Sequence, residues 1–432
     1  MKISQFTLIA IFWVFVTITG CQSIKQTLAG NSINRSFKKS EIFTNQFTGF
    51  LLYDPQSNVY LKEWNADLNF TPASNTKIFT TAACLQVFGD SIPTYDLAHI
   101  DSVVHIEPYG DPTLLHPDFP EQPALYPLMG TPTVVHLPER PIKAFGPGWA
   151  WDDYQYSFQS ERFWMPIYAN EVRIFNSDTL HVIPDFFEDY IDLYVGERPG
   201  SFVYREFAYN LFNIWMEDDS SSFERKIPFQ VSNELLSILM ADTIGASTTT
   251  TNSPLLVKEK TVYNQATIPT LALMMQRSDN FLAEQLLITA GRAKGYENQD
   301  AFRNRLLHAW QLSDQLQWVD GSGLSRYNLF TPRAIVKVLN YIYREVDWQT
   351  IQWIFPNGGK SGTIKNWYPG IDQPYVFAKT GTLSNNHCLS GFIVTNSGRK
   401  LIFSFMNNNY LTPVNEVKAE MQKVLEKIRD NY

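Results

Sequence analysis

Two apolar runs near the start of the chain alternate with polar positions, which is the pattern of half-buried β-strands. They fill residues 47–64 on either side of Asp54–Asn58, whose turn-forming residues predict a hairpin. Thr71-Pro72-Ala73-Ser74 then precedes an apolar run from Ile78 to Phe88, and a proline in this position is typical of a helix start. The chain therefore opens with two predicted strands and a helix that carries Ser74 near its first turn.

The pattern changes between residues 97 and 257, which are rich in Pro, Trp, Tyr and Phe and contain short strand-like runs. We predict there an inserted β-rich region of one or two small domains. The remainder, residues 41–96 and 258–432, is predicted to form one discontinuous α+β domain, because strands lie at both of its ends with helices between them. The predicted helices are 232–243, 267–275, 280–289, 301–311, 331–345 and 414–429, and the later predicted strands are 374–382, 388–395 and 400–407.

The first 40 residues read as a targeting segment and a linker. An apolar run from Phe6 to Ile18 follows Lys2, and it is too short for a comfortable membrane span. It ends in Ile18-Thr19-Gly20-Cys21, which resembles the bacterial lipobox. We therefore predict a signal peptide over residues 1–20, lipidation of Cys21, a polar tether over residues 21–40, and a membrane-anchored lipoprotein of the cell envelope that faces the periplasm. The alternative is an ordinary signal peptide that happens to contain a cysteine.

Composition and charge argue against several classes of function. With 432 residues, 44% of them hydrophobic, the chain can bury a large core. The net charge of -8 and the lack of a Lys/Arg cluster exclude a nucleic-acid partner. The seven histidines are scattered without a metal-binding spacing, so we expect no metal and no cofactor. Cys84 and Cys388 lie in apolar segments and are expected to be buried thiols, although spacing alone leaves a disulfide between them open.

Three short polar motifs stand in order along the chain. Ser74-Asn75-Thr76-Lys77 is S-x-x-K, Ser278-Asp279-Asn280 is S-x-N, and Lys379-Thr380-Gly381 is K-T-G. Each motif alone has an ordinary interpretation as a helix cap, a solvated lysine or a strand end. Together, in this order and in matching local structure, they indicate an enzyme that transfers acyl groups through a serine.

The chemistry of the first motif depends on its spacing. Residues three apart on a helix share one face, so Lys77 is expected beside Ser74, where its amine can take the hydroxyl proton. The amine must be neutral for this step, and both burial and a second cation, for which we expect Lys379, favour the neutral form. The helix start also offers backbone N–H groups to an oxyanion.

The other motif residues are expected around the substrate. Ser278 and Asn280, in a loop between helices, relay a proton and orient the scissile amide. Lys379 and Thr380 on an edge strand hold a terminal carboxylate, and Gly381 leaves room for close approach. The predicted catalytic residues are therefore Ser74, Lys77, Ser278 and Asn280, and the predicted substrate-binding residues are Lys379, Thr380, Gly381 and Thr382, the last as a second oxyanion donor.

Further runs accompany the three motifs in a fixed order. They are PASNTK from Pro72, GDPTL from Gly110, GWAWDD from Gly148, DGSGLSR from Asp320, AKTGTL from Ala378 and LSG from Leu389. In content and order they resemble the class C low-molecular-mass penicillin-binding proteins, which include D-Ala-D-Ala carboxypeptidases and endopeptidases. The long insert between the first and second motifs fits class C, since class A β-lactamases place these motifs far closer together.

The resemblance implies a fold and an activity. The implied fold is a transpeptidase/β-lactamase-like domain, an antiparallel sheet flanked by helices, with a large β-rich insert. The implied activity is the hydrolysis of peptidoglycan stem peptides through an acyl-enzyme on Ser74, with β-lactams as covalent inhibitors. The insert departs from the family pattern, because it is shortened between Leu114 and Arg140 and matches poorly over Phe175–Glu224.

Two other functions are compatible with the same sequence. The first keeps the chemistry and changes the substrate, as in a serine esterase or a β-lactamase. The second is a non-catalytic surface lipoprotein that binds peptidoglycan, although such a module has no need of the complete set of Ser, Lys and Asn residues. The choice between carboxypeptidase and endopeptidase depends on how the insert shapes the groove, so the sequence leaves it open.

Overall fold

The structure, a computed structural model, describes residues 33–177, 179–196, 200–218 and 222–432. The predicted signal peptide, Cys21 and most of the predicted tether lie outside these residues. Within the described ranges, none of the helices combines the length and the apolar character that a membrane crossing requires.

Sixteen strands can be named along the described chain. They are β1 (Phe47–Asp54), β2 (Val59–Trp64), β3 (Ser91–Ile100), β4 (Val103–Pro108), β5 (Thr133–His136), β6 (Glu171–Asn176), β7 (Leu180–Ile183), β8 (Ile191–Val195), β9 (Phe202–Arg205), β10 (Phe212–Met216), β11 (Phe223–Pro228), β12 (Thr248–Thr251), β13 (Lys260–Ala266), β14 (Val376–Leu383), β15 (Asn386–Val394) and β16 (Lys400–Asn408).

The α-helices follow in the same order. They are α1 (Glu41–Thr44), α2 (Lys77–Val87), α3 (Asn233–Ile244), α4 (Thr267–Arg277), α5 (Asn280–Ala293), α6 (Gln299–Ala309), α7 (Pro332–Glu345), α8 (Trp348–Ile354) and α9 (Val414–Asn431). Residues 33–39 are also helical. The seven predicted helices agree with α2 to α7 and α9 to within a few residues, whereas α1 and α8 were not predicted.

The fold divides into two compact units. Of the described residues, one unit contains residues 33–75 together with Leu329–Tyr432, and the other contains those between Thr76 and Asn328. We call them the sheet unit and the insert unit and describe each by itself. The domain boundaries predicted at residues 96 and 257 remain a prediction.

The sheet unit is built on one antiparallel sheet in the order β14-β15-β16-β1-β2. Its central strands are buried along nearly their whole length, as expected for a sheet covered on both faces. The amphipathic helix α7 packs against β1 and β16. Helix α9 contributes Val417, Met421, Leu425 and Ile428 to a core that also holds Phe50, Leu52, Phe403 and Phe405.

The insert unit combines three sheets with a group of helices. A five-stranded sheet has the order β12-β5-β4-β3-β13, and two three-stranded sheets have the orders β8-β10-β9 and β11-β6-β7. Burial alternates along β4 and β6, so each presents one face to the core. Helix α2 packs against α4 and α5 in the same unit. The α+β fold class predicted from the sequence is confirmed by this arrangement of sheets and helices, together with the structural comparison described below.

Candidate active site

Lys77 is the first residue of α2 and its side chain is fully buried. Its ammonium group donates hydrogen bonds to the amide oxygen of Asn280 (2.6 Å) and to the carbonyl oxygen of Ser322 (2.8 Å). A buried lysine without partners would be costly, because a charge that leaves water must be compensated by nearby polar groups. These two oxygens therefore hold the amine in one position within the insert unit.

Burial lowers the pKa of Lys77 to about 8. The carboxylates of Asp279, Asp320 and Glu284 act in the opposite direction, because negative charge favours the ammonium form. A pKa near 8 leaves about one amine in ten neutral at pH 7. The side chain can thus accept a proton at physiological pH, which an ordinary solvated lysine does very rarely.

The S-x-N motif joins two helices. Ser278 ends α4 in the left-handed conformation, with φ of 62°. Asp279 then caps α5 by accepting from the backbone N–H of Leu282 (2.8 Å), and Asn280 is the first residue of that helix. The prediction that both motif residues lie in a loop is therefore correct for Ser278 and wrong for Asn280. The Asp279 cap starts the helix at Asn280, the residue at which the helical pattern of the sequence also begins.

The orientation of the Asn280 amide is fixed at both ends. Its nitrogen donates to the carbonyl oxygen of Phe158 (2.9 Å), and its oxygen accepts from Lys77. A flipped amide would bring nitrogen against the lysine and oxygen against a carbonyl, so only one orientation satisfies both contacts.

The DGSGLSR segment forms a buried loop that presents the carbonyl of Ser322. The carboxylate of Asp320 holds this loop by accepting from the backbone N–H groups of Gly323 (2.8 Å) and Ser325 (2.7 Å). It also accepts from the indole of Trp149 (3.0 Å), which belongs to the GWAWDD segment. Two runs that the sequence showed only as separate matches are thus bonded to each other.

Glu284 is a further buried residue of this site that the sequence did not reveal. Its carboxylate accepts from the backbone N–H of Ser322 (2.7 Å) and lies 3.5 Å from the guanidinium of Arg162. Burial, together with the negative charge of Asp320, raises its pKa. The available signal was its spacing, since Glu284 follows Asn280 by one helical turn and therefore shares its face of α5.

Ser74 lies in the sheet unit, on a 3₁₀ turn over Ala73–Thr76 that precedes α2. Ser74 therefore lies near the start of the helix, as predicted, but on the 3₁₀ turn that directly precedes the first α-helical residue, Lys77. Ala73 has a φ of 47°, which non-glycine residues seldom adopt. This kink changes the direction of the chain before the serine, so the α-helix can begin only after the turn.

The K-T-G strand and the Ser74 turn are in contact within the sheet unit. The side-chain amide of Asn75 donates to the carbonyl oxygen of Lys379 (2.9 Å). A Cβ atom on Gly381 would lie 2.4 Å from the carbonyl oxygen of Pro72 and 3.0 Å from the backbone nitrogen of Ser74. The glycine is therefore required because the two backbones approach too closely for any side chain.

Strand β14 forms one edge of its sheet, as predicted for the strand that carries Lys379. Residues 356–358 pair with its first half, since Ala378 donates its N–H to the carbonyl of Pro356. Alternate residues of a strand direct their N–H groups to the same side. The N–H groups of Thr380 and Thr382 therefore point toward the open part of this edge, as the predicted oxyanion donor requires.

Short polar contacts surround the same strand. The Lys379 ammonium donates to the carbonyl of Thr380 (2.8 Å), and the Thr380 hydroxyl donates to that of Thr363 (2.7 Å). The Thr382 hydroxyl lies 2.8 Å from Nδ1 of the buried His387. Burial, with the cations Lys418 and Lys379, lowers the pKa of His387 to about 3, so this imidazole is neutral at physiological pH.

The predicted site residues thus fall into two groups. The sheet unit brings Ser74 together with the strand that carries Lys379, Thr380, Gly381 and Thr382. The insert unit brings Lys77 together with Asn280, which follows Ser278 by two residues. The S-x-x-K run spans the division, because the division falls between Asn75 and Thr76. The roles assigned to these residues remain predictions.

Two other predictions concern the cysteines and metal binding. Cys84 and Cys388 are both buried free thiols. In the described part of the chain, no group of three or more His, Cys, Asp or Glu side chains is placed to hold a metal ion.

The sequence of this chain is similar to those of known carboxypeptidases. Residues 229–432 match the model of the D-Ala-D-Ala carboxypeptidase 3 (S13) family. The chain is 32% identical over 173 residues to the D-alanyl-D-alanine carboxypeptidase DacB of Haemophilus influenzae, and 30% identical over 154 residues to the carboxypeptidase DacB of Mycolicibacterium smegmatis. These matches cover 38% and 33% of this chain, and they span 36% and 34% of the two relatives, about a third of the length of each.

The fold is similar to that of a solved protein over almost its full length. The crystal structure of penicillin binding protein 4 from Haemophilus influenzae superposes with a TM-score of 0.69 at 20% sequence identity, covering 92% of this chain and 99% of the other. A second crystal structure of that protein, complexed with a β-lactam, gives a TM-score of 0.65 at 19% identity and covers 92% of this chain and 98% of the other.

Proposed function

We propose that the chain, whose residues 229–432 match the D-Ala-D-Ala carboxypeptidase 3 (S13) family, is a serine-type D-Ala-D-Ala carboxypeptidase or endopeptidase acting on peptidoglycan stem peptides. The observation that carries the proposal is the state of Lys77. This lysine is fully buried, bonded to Asn280, and has a pKa lowered to about 8. A pKa close to physiological pH and a fixed position both suit a general base, and they distinguish Lys77 from a solvated surface lysine.

The first step is acylation of Ser74. Its hydroxyl oxygen attacks the carbonyl carbon of the penultimate D-alanine while the neutral amine of Lys77, three residues further along the chain, takes the hydroxyl proton. The oxyanion that forms is stabilised by the backbone N–H groups of Ser74 and Thr382. The C–N bond then breaks, the leaving amine takes up a proton from Lys77 through Ser278, and an ester on Ser74 remains.

The second step is hydrolysis of that ester. Water loses a proton to Lys77 and attacks the ester carbonyl, which releases the shortened peptide with a carboxyl group and restores the Ser74 hydroxyl. Lys379 and Thr380 hold the terminal carboxylate of the uncleaved peptide, since a cation and a hydroxyl beside an open strand edge suit an extended chain. A β-lactam enters by the same first step, and its ring-opened acyl group is not replaced readily by water.

A labelled penicillin tests the acyl-enzyme directly. The purified chain should form a covalent adduct that maps to Ser74, and the Ser74→Ala variant should form none. An adduct that persists in Ser74→Ala, or native protein that never becomes labelled, contradicts the proposal.

The substrate class needs a separate measurement. Purified monomeric and cross-linked muropeptides should lose D-alanine or be split, as followed by mass spectrometry. Rapid turnover of a chromogenic cephalosporin without any change in the muropeptides identifies a β-lactamase instead. Binding of muropeptides without any hydrolysis identifies a non-catalytic envelope protein.

We also propose that the protein is a periplasm-facing lipoprotein anchored through Cys21. The support is the sequence alone, in which the cysteine directly follows an apolar run of signal-peptide length. Mass analysis of the mature N-terminal peptide should show acyl chains on Cys21, and Cys21→Ala should release the protein from the membrane fraction. An unmodified N-terminus contradicts this proposal without affecting the catalytic one.

A further inference from the structure

A long groove crosses the surface of the insert unit, outside the residues assigned to catalysis. It has a volume of about 980 Å³ and lies between the segment Tyr154–Phe158 on one side and the strands β9 and β11 on the other. We call it the aromatic groove. The sequence of this part of the chain, Phe175–Glu224, departs from the pattern of the family, so its function cannot be carried over from relatives.

A ladder of stacked aromatic rings ends at one wall of the aromatic groove. Trp215 of the central strand β10 stacks on Tyr194 of β8 on one side, with ring centroids 4.8 Å apart and planes at 9°. On the other side it stacks on Phe202 (4.8 Å, 9°) and Tyr204 (5.3 Å, 12°) of β9. Neighbouring strands are separated by nearly the same distance, so the rings stand upright and parallel on one face of the sheet.

The rings at the end of this ladder face the groove. Phe202 and Tyr204 both line it, and Trp215 supports them from behind. The opposite wall carries a second stacked pair, Tyr156 and Phe158, with ring centroids 5.3 Å apart and planes at 9°. Their side chains are 51% and 42% exposed. Large aromatic rings held in pairs but left in solvent are unusual for a purely structural role.

Polar side chains alternate with the rings along the groove. Gln155 lies between the tyrosines of one wall, and Glu224, Arg225 and Lys226 line the other side. A sugar ring needs this combination, since its C–H face packs on an aromatic face while its hydroxyl groups require donors and acceptors at the edge. A lipid tail would remove the charged groups of Glu224, Arg225 and Lys226 from water, which is costly even though Glu224 already pairs with Arg173, and a nucleic acid is disfavoured by the net charge of -8.

We propose that the aromatic groove binds a carbohydrate polymer, the glycan strand of peptidoglycan. Its volume of about 980 Å³ lies at the upper end of the range for small-ligand sites, so it suits several linked sugar rings better than one amino acid. The carbohydrate chemistry follows from the groove alone, and only the identity of the polymer rests on the proposed function.

The aromatic groove also adjoins a cavity that is lined by two predicted catalytic residues of the insert unit. A second cavity of about 250 Å³ shares Ser157, Phe158 and Lys226 with it and is lined further along by Ser278 and Asn280. A glycan strand held in the groove therefore brings its stem peptides toward these two motif residues. Binding of this kind raises the local concentration of the scissile peptide without adding any contact to it.

The experiment uses the full chain with two probes. Soluble oligomers of N-acetylglucosamine are titrated by calorimetry, and insoluble glycan strands stripped of their peptides by an amidase are tested in a sedimentation assay. We expect binding to both, with Tyr156→Ala and Tyr204→Ala each weakening it by about tenfold or more. The matched control is Tyr209→Ala, which removes a 71% exposed tyrosine of the same unit that does not line the groove.

The outcomes are distinct from those of the catalytic proposal. Glycan binding that fails in native protein, or that survives both groove substitutions, overturns the inference, and so does binding lost equally in Tyr209→Ala. A native chain that binds glycan but is not acylated by penicillin supports the groove and contradicts the enzyme. Binding of a protein or a peptide to the groove with no affinity for either glycan probe overturns the carbohydrate assignment.

Discussion

The amide oxygen of Asn280 accepts a hydrogen bond from the ammonium group of Lys77 over 2.6 Å. The nitrogen of the same amide is held by the carbonyl of Phe158, so the side chain is fixed at both ends. A buried amine with three hydrogens can point in several directions, and this contact selects one of them. The position of the proposed general base therefore depends on the second motif of the chain.

Replacement of Asn280 should impair acylation more than folding. In Asn280→Ala the amine of Lys77 loses the acceptor that Asn280 provides and can move, and a misplaced base costs on the order of 100-fold in rate. The rate of labelling by a fluorescent penicillin measures the effect. Asn298→Ala is a suitable control, because it removes the cap of α6, about 1 kcal/mol of stability, away from the motif residues. Equal labelling rates in the two variants contradict the role of Asn280.

The pH dependence of acylation should follow the pKa of Lys77. Only the neutral amine accepts a proton, so with a pKa of about 8 the rate should rise with pH up to that value and level off above it. Below the inflection the rate should fall about tenfold for each pH unit. A stopped-flow series from pH 6 to 10 gives the profile. A rate that is constant over this range excludes Lys77 as the base.

Removal of the Asp279 charge should move this inflection to lower pH. The carboxylate raises the pKa of Lys77, and in Asp279→Asn that effect is lost while the new amide oxygen still accepts from the N–H of Leu282. The same pH series measures the shift. Asp347→Asn makes the identical change at the cap of α8 in the sheet unit and should leave the inflection in place. An unchanged inflection in Asp279→Asn contradicts the electrostatic argument.

Gly381 should tolerate no side chain. In Gly381→Ala the new Cβ would lie 2.4 Å from the carbonyl oxygen of Pro72 and 2.9 Å from the backbone nitrogen of Asn75, so the strand and the Ser74 turn must separate. We expect penicillin labelling to fall by about 100-fold or more. Gly89→Ala is the matched control, since no atom lies within 4 Å of its added Cβ. A Gly381→Ala variant that labels normally shows that the turn and the strand are not held in register.

The neutral, buried His387 should make the protein sensitive to acid. Its pKa is lowered from 6.5 to about 3, so between these values the unfolded chain binds a proton that the folded chain does not. Stability is therefore lost as the pH falls from 6.5 toward 3, by roughly 5 kcal/mol in all. Urea unfolding at several pH values should show a smaller loss in His387→Gln than in the native protein. His308→Gln, at an exposed position on α6, is the control, and an equal reduction there contradicts the assignment.

The sequence was most informative where local signals agree with the fold. The helix that follows Thr331-Pro332 begins at that proline, because a capping threonine and a proline at the first helical position both favour a helix start. The Ser74 turn was less predictable. Ala73 takes up a positive φ only because the surrounding structure holds it there, and alanine gives no sign of this in a sequence.

Long-range contacts set the limit of prediction. Glu284 is kept buried by Arg162, which lies 122 positions earlier in the chain, and no local pattern connects the two. The ladder on Trp215 depends on β8 pairing in parallel with β10 and antiparallel β9 completing the sheet. Residues 191–216 show only short aromatic runs, so the alignment of their rings follows from strand pairing that the sequence does not specify.

The half-covered edge of β14 also makes this protein prone to self-association. An exposed strand edge is a template on which any extended chain can add, and most proteins block it with proline, charge or a covering segment. Here residues 356–358 seal the beginning of the edge, but the part from Thr380 onward must stay open if a peptide is to be received there. The uncovered strand edge that receives a substrate peptide can equally pair with a strand of another molecule. Crowding and partial unfolding should therefore promote self-association at the open part of the proposed catalytic strand.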